Sequence, residues 1–169
     1  IESATIHAGE PASRECARVR LWLMLFCTGF LGIGYEVLGV RELNQVLENT
    51  VYSFTAVLAV YLLGTAIGAA VEQKLAGART LETRLELLLG SLAVSCALGV
   101  WALVVSPRTS ELCRRALGGG AAGTWVVEMS VAATVFALPT LLMGATFSLL
   151  AQAALRSGGG VGRALALNT

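Results

Sequence analysis

The sequence predicts an all-α membrane protein: a polytopic bundle of four transmembrane helices, with the lead-in to a fifth at the carboxyl end. Of the 169 residues, 56% are apolar and only 14% are charged, whereas a soluble domain carries about 25% charged residues. The apolar residues form long continuous runs instead of alternating with polar ones, which favours helices over barrel strands. A soluble fold of this length could not bury so much apolar surface, so the predicted surroundings are a lipid bilayer.

Four stretches are long enough to cross a bilayer, which requires about 20 mainly apolar residues. They are residues 21–40, 51–71, 87–105 and 125–155. The chain therefore divides into an amino-terminal tail at 1–20, the helix bundle at 21–155, and a glycine-rich linker at 156–169 that leads towards a continuation. Pro139 lies in the middle of the fourth stretch, where it removes one backbone hydrogen bond, and this predicts a kink.

The segments between the spans carry helix start and stop signals. Thr83 and Glu86 match a capping box just before the third span. Ser106 and Pro107 are typical of a helix cap and first turn, so a separate short loop helix is expected there. The glycines at 118–120 would end that loop helix.

The distribution of Lys and Arg between the two sides predicts the orientation. Eight basic residues flank the side on which the chain begins: Arg14, Arg18, Arg20, Lys74, Arg79, Arg84, Arg156 and Arg163. Four flank the other side: Arg41, Arg108, Arg114 and Arg115. This excess predicts that the amino end lies in the cytoplasm.

The composition also excludes several function classes. There is no aspartate, and His7 is the one histidine, which argues against an EF-hand, a multi-histidine metal site and a Ser-His-Asp triad. The net charge of +1 provides no basic field for nucleic acid. We therefore expect no catalytic residue, cofactor or metal in this segment, and no nucleic-acid partner.

Two carboxylates within the apolar stretches are candidates for a site, because a charge inside a membrane span is costly. Glu36 lies near the end of the first span and Glu128 near the start of the fourth, so both are expected at similar depth, beside Arg41. Three interpretations remain open. The carboxylates reach the interface or pair with arginines, they form a polar pocket for a proton or cationic ligand, or they contact another subunit.

Small residues at helical spacing predict close helix packing. Gly64 and Gly68 form a GxxxG pattern in the second span, and Ser91, Ser95 and Gly99 repeat every four residues in the third. Because GxxxG is common by chance in glycine-rich helices, packing within the bundle is favoured over dimerisation.

A further set of residues occurs in a fixed order along the chain. It comprises Tyr35-Glu36 with Arg41, Val51-Tyr52 with Gly64 and Gly68, Leu138-Pro139-Thr140 with Gly144-Ala145-Thr146, and Gly162-Arg163 before Ala166-Leu167-Asn168-Thr169. In this ordered combination the chain resembles the bacterial membrane-bound, spermidine-synthase-like proteins. The resemblance covers most of the chain.

The resemblance implies a multi-helix domain in the bacterial inner membrane. In full-length relatives this domain precedes a soluble aminopropyltransferase domain that binds decarboxylated S-adenosylmethionine and a polyamine. The aspartates of that domain have no counterpart here, so no catalytic role passes to any residue of this chain. The expected role is therefore an anchor or assembly module. Two alternatives remain: a structural accessory subunit that binds other subunits of a larger membrane complex, or part of a transporter for a small cationic solute.

Overall fold

The computed structural model describes residues 10–46, 51–75, 80–117, 121–158 and 160–168. They form five helices and, within these ranges, no strand. The helices are α1 (Glu10–Val46), α2 (Val51–Lys74), α3 (Leu81–Leu117), α4 (Ala121–Arg156) and α5 (Val161–Asn168). Four are long and apolar enough to cross a membrane, over Glu15–Arg41, Phe54–Lys74, Leu81–Val105 and Met129–Arg156. The predicted all-α fold class, with a fifth helix at the carboxyl end, is confirmed.

Helix α4 is the centre of the bundle. Within its span, 56% of the most apolar window is buried, against 11% for α3. The other four helices pack on α4, α2 most extensively, while α1 and α2 scarcely touch each other. The outward faces of α1, α2 and α3 expose large apolar side chains such as Phe30, Leu63 and Trp101. Such a surface suits a hydrocarbon surrounding, which makes the chain a multi-pass membrane domain.

Two buried clusters lie along α4. One contains Val131, Ala132, Val135 and Phe136 together with Val57 of α2. The other joins Leu25 of α1, Leu150 and Ala154 of α4, and Ala164 of α5. Because lipid tails are as apolar as these side chains, van der Waals packing stabilises the clusters more than the hydrophobic effect does.

The start of α3 differs from the expected capping box. The helix begins at Leu81, and the carbonyl oxygen of Thr80 accepts a hydrogen bond from the Arg84 N–H at 3.1 Å. Thr80 therefore occupies the cap position, because its carbonyl accepts the first bond of the helix. Thr83 lies inside the first turn, with its hydroxyl 2.9 Å from that of Thr80. The prediction of a cap at Thr83 is wrong by one turn.

The separate loop helix expected at Ser106 is also wrong, because α3 continues without interruption to Leu117. Pro107 removes one backbone hydrogen bond, but that loss alone does not end the helix. The glycines at 118–120, expected to end the loop helix, lie outside the described residues. Helix α4 also continues through its proline, Pro139, as a single helix. The kink expected there stays a prediction.

A tight turn at Ser157 and Gly158 ends α4 and brings the chain back onto the bundle. Gly158 adopts a φ of +80°, a conformation that glycine reaches without steric cost. Helix α5 then packs on α1 and α4. The guanidinium of Arg163 lies 4.9 Å from the ring centroid of Trp22. Asn168, at the other end of α5, lies against Gly29, so α5 runs alongside α1 into the bundle.

Candidate functional site

The glycines of α2 lie in the interface with α4. A methyl group at Gly64 would overlap the side chain of Thr140, and one at Gly68 would overlap the carbonyl of Leu141. From the opposite side, a methyl group at Gly144 would overlap the backbone of Thr65. The two backbones therefore approach so closely that a Cβ atom at these positions has no space. This is the small-residue packing by which membrane helices associate, here within one chain.

The small residues of α3 divide between two surroundings. Ser95 is 2% exposed, and Gly99 faces both Tyr35 of α1 and the carbonyl of Val135 in α4. Ser91 is exposed, and its hydroxyl donates to the carbonyl oxygen of Leu88 at 3.0 Å. The contact of α3 with α4 thus involves Ser95 and Gly99, whereas Ser91 lies on the outer surface.

A hydrogen bond between α1 and α4 lies at the proline of α4. Pro139 has no N–H, so the carbonyl of Val135, four residues earlier, lacks its usual helical donor. The hydroxyl of Tyr35 donates to that carbonyl oxygen at 3.1 Å. A methyl group at Gly99 would overlap this hydroxyl, so the glycine leaves the space that the tyrosine fills. Three helices therefore meet at the carbonyl that Pro139 leaves without a backbone donor; we call this meeting point the proline junction.

Aromatic packing fixes the position of Tyr35 at the proline junction. Its ring lies edge-on to Phe136, with centroids 5.6 Å apart and an interplanar angle of 75°. That geometry is a favourable one for aromatic pairs. A methyl group at Gly39, one turn beyond Tyr35, would overlap the Phe136 ring, so Gly39 allows α1 to approach it. Sequence reasoning identified Tyr35 and Pro139 separately, and nothing in their spacing indicated that they meet.

The predicted polar site is described only in part. Glu36 is half-buried and Arg41 is exposed. Glu128 lies in α4 about two turns, or about 10 Å, before Val135, the residue that Tyr35 reaches. The side chain of Glu128 is outside the described part of the structure. The expected placement of Glu36 and Glu128 at similar depth, beside Arg41, therefore stays a prediction.

An ion pair that sequence reasoning missed joins the end of α2 to the start of α3. Glu72, 5% exposed, forms a salt bridge with Arg84, whose guanidinium also donates to the backbone carbonyl of Glu72 at 3.3 Å. That carbonyl belongs to the last turn of α2, where a cation is favourable. The available signal was a carboxylate at the end of one apolar run and an arginine just before the next.

A groove lies between α1 and α2, with α4 as its floor and α5 at one end. Its volume is about 590 Å³. Apolar and small residues form most of its wall, and four hydroxyl side chains and one amide contribute the rest: Thr28, Tyr61, Thr65, Thr146 and Asn168. Glu36 is not among the lining residues. The groove therefore differs in position and chemistry from the carboxylate pocket considered above.

Comparisons with known proteins leave the family open. No family model, no curated protein and no solved structure matches the chain. Within the described residues, no group of three or more His, Cys or Glu side chains is placed to hold a metal ion. The functional interpretation therefore depends on the helix contacts and on the groove.

Proposed function

We propose that this chain is the integral membrane domain of a spermidine-synthase-like protein, in which it serves as an anchor and assembly module. The structure shows four helices that are long and apolar enough to cross a membrane; the family and the role are the proposal. The observation that supports it is where the residues of the resemblance lie. Tyr35, Gly64, Gly68, Pro139 and Gly144 all lie in contacts between helices.

These positions suit a module whose task is to hold its own helices together. The threonine hydroxyls along the spans donate to their own helix, for example Thr140 to the carbonyl of Phe136 at 2.7 Å and Thr146 to that of Leu142 at 2.7 Å. Hydroxyls used in this way have their donors satisfied within their own helix, and among the described residues no base is placed to activate them as nucleophiles. An assembly role therefore explains the arrangement better than chemistry within the membrane.

The location that we propose is the bacterial inner membrane, with the amino end of α1 in the cytoplasm. The excess of Lys and Arg on the side of the α2–α3 hairpin supports this orientation. Helix α5 starts on the same side, at Arg163 beside Trp22, and runs towards Gly29. We propose that α5 is the start of a fifth span that leads to the soluble part of the protein.

The test is to purify the intact gene product from its native membranes, weigh it by mass spectrometry, and assay aminopropyl transfer from decarboxylated S-adenosylmethionine to a diamine. We expect one polypeptide that carries a soluble domain after the bundle. Proteolytic release of that domain should abolish membrane attachment and leave any transfer activity in the soluble fraction. A subunit of about 17.6 kDa that copurifies with a large complex would instead show an accessory subunit. Further spans that repeat these would show a transporter.

A further inference from the structure

The groove lies near the middle of the bilayer. Along α2 its wall extends from Tyr61 to Ala69, within the span Phe54–Lys74, and along α1 from Thr28 to Ile33, within the span Glu15–Arg41. The groove opens sideways because α1 and α2 pack on α4 without closing on each other. An acyl chain that starts at a membrane surface is long enough to reach this depth, since half of the hydrocarbon core measures about 15 Å.

The groove is too large to be a packing defect. Protein interiors contain few voids larger than a water molecule, whereas about 590 Å³ is in the range of binding sites for small molecules. Its threonine hydroxyls already have acceptors for their protons: Thr28 donates to the carbonyl of Met24 at 2.8 Å, Thr65 to that of Tyr61 at 3.0 Å, and Thr146 to that of Leu142 at 2.7 Å. The wall therefore favours an apolar occupant, and a lipid acyl chain is the apolar molecule that a bilayer supplies.

Basic side chains lie at the membrane surface where α1 begins, about 15 Å along that helix from the groove wall. Arg18, Trp22, Leu25, Gly29 and Gly32 follow one another at spacings of three and four residues, so they share one face of α1. Gly29 and Gly32 line the groove. Towards the membrane surface that same face carries exposed Arg18, and exposed Arg163 stacks on Trp22.

Within the described residues, neither Arg18 nor Arg163 takes part in a salt bridge, and the salt bridge at this end joins Glu72 to Arg84. Glu82 and Glu86 are exposed in the first turns of α3, the helix that contributes Leu92 to the groove wall. Glu15 is exposed three residues before Arg18, on the same face of α1, so it competes with an anion for Arg18. Basic pockets between membrane helices are known sites for anionic lipid headgroups.

From these observations we propose that the groove binds one acyl chain of an anionic phospholipid whose phosphate is held by Arg18 and Arg163. This binding site goes beyond the proposed anchor role and rests on the proposed fifth span leaving the groove open after Asn168, which lies in its wall. A lipid held in this way fills the space between α1 and α2 and links α5 to α1 through the headgroup.

The test uses the full chain in a mild detergent, incubated with vesicles of phosphatidylglycerol or of phosphatidylcholine, and counts retained lipids by native mass spectrometry. We expect one retained phosphatidylglycerol, in clear preference to phosphatidylcholine. Arg18→Gln or Arg163→Gln should each weaken that preference about fivefold, since one basic group near a membrane surface contributes about 1 kcal/mol. Arg20→Gln is the matched control, because Arg20 is an exposed α1 arginine outside the groove face.

A second pair of variants tests the groove itself. A Cβ atom at Gly32 meets only the Met143 sulfur at 3.6 Å, so Gly32→Leu extends into the groove, whereas Gly34 has no neighbour within 4 Å and serves as the control. Gly32→Leu should abolish retention of both lipids, and Gly34→Leu should retain them. Circular dichroism checks folding, and Ala66→Leu is a second groove-filling variant. Equal retention of the two lipids by the unmodified chain would overturn the proposal, as would unchanged retention by folded Gly32→Leu or Ala66→Leu.

Discussion

The hydrogen bond at the proline junction makes Tyr35→Phe an informative substitution. It removes one hydroxyl group and keeps the ring, so the edge contact with Phe136 remains. What is lost is the donor to the carbonyl of Val135, an atom to which Pro139 cannot donate. Val135 is 1% exposed, so water has no access to replace the tyrosine.

The expected loss of stability follows from two known ranges. Hydrogen bonds between membrane helices contribute about 0.6 kcal/mol on average and up to about 1.7 kcal/mol. An acceptor left unsatisfied in a buried site costs about 1–3 kcal/mol. Because the Val135 carbonyl loses its interhelical donor and has no backbone donor from residue 139, we expect Tyr35→Phe to lower the free energy of unfolding by about 1.5 kcal/mol.

The assay is unfolding by SDS titration in mixed micelles, followed by far-ultraviolet circular dichroism, as a double-mutant cycle with Pro139→Ala. Alanine restores an N–H at position 139, so the Val135 carbonyl regains a donor within α4. In that background Tyr35→Phe should cost less than about 0.5 kcal/mol, which gives a coupling of about 1 kcal/mol between the two positions. An equal cost of Tyr35→Phe in both backgrounds would refute the role of the hydroxyl at the proline junction.

Two further substitutions test the interfaces in the same assay. Gly68→Ala should lower the free energy of unfolding by about 1–3 kcal/mol, because the added methyl group overlaps the Leu141 carbonyl. Gly90→Ala is its control, since Gly90 has open space and alanine favours the helix, so equal effects would contradict the α2–α4 packing. Arg84→Gln should cost about 3 kcal/mol, because it leaves the buried carboxylate of Glu72 without its counter-charge. A cost under about 0.5 kcal/mol, typical of an exposed pair, would show that Glu72 is solvated.

The spans were predictable from the sequence because a helix that crosses the hydrocarbon core must be long and apolar. Runs of about 20 apolar residues have no other stable form in a chain with so few charges. The same holds for the tendency of Gly64 and Gly68 to lie in a helix interface, since small residues in a membrane helix allow close approach. Which helix they meet depends on how the spans are arranged around α4, and no local pattern encodes that arrangement.

The contacts that required the structure join residues far apart in the chain. Tyr35 and Val135 meet because α1 and α3 both pack on α4 at the level of its proline. The cap at Thr80 was missed because Thr83–Glu86 matches the capping-box pattern, whereas Thr80 has a threonine and not a glutamate three residues later. Pro107 was taken as a helix start because proline is favoured at the first position of a helix. It lies instead inside α3, a less common place for proline.

Photolabelling with a carbene reagent dissolved in the bilayer, read out by mass spectrometry, is the most direct test of a lipid-facing bundle with α4 at its centre. The exposed apolar residues of the outer helices, such as Phe30, Leu63 and Trp101, should be labelled. The buried residues of α4 outside the groove wall, such as Thr140, Ala145 and Leu150, should remain unlabelled, whereas exposed Leu138 on the same helix should react. Labelling of those buried residues as strongly as of α3, or no labelling of α1, α2 and α3, would contradict this architecture.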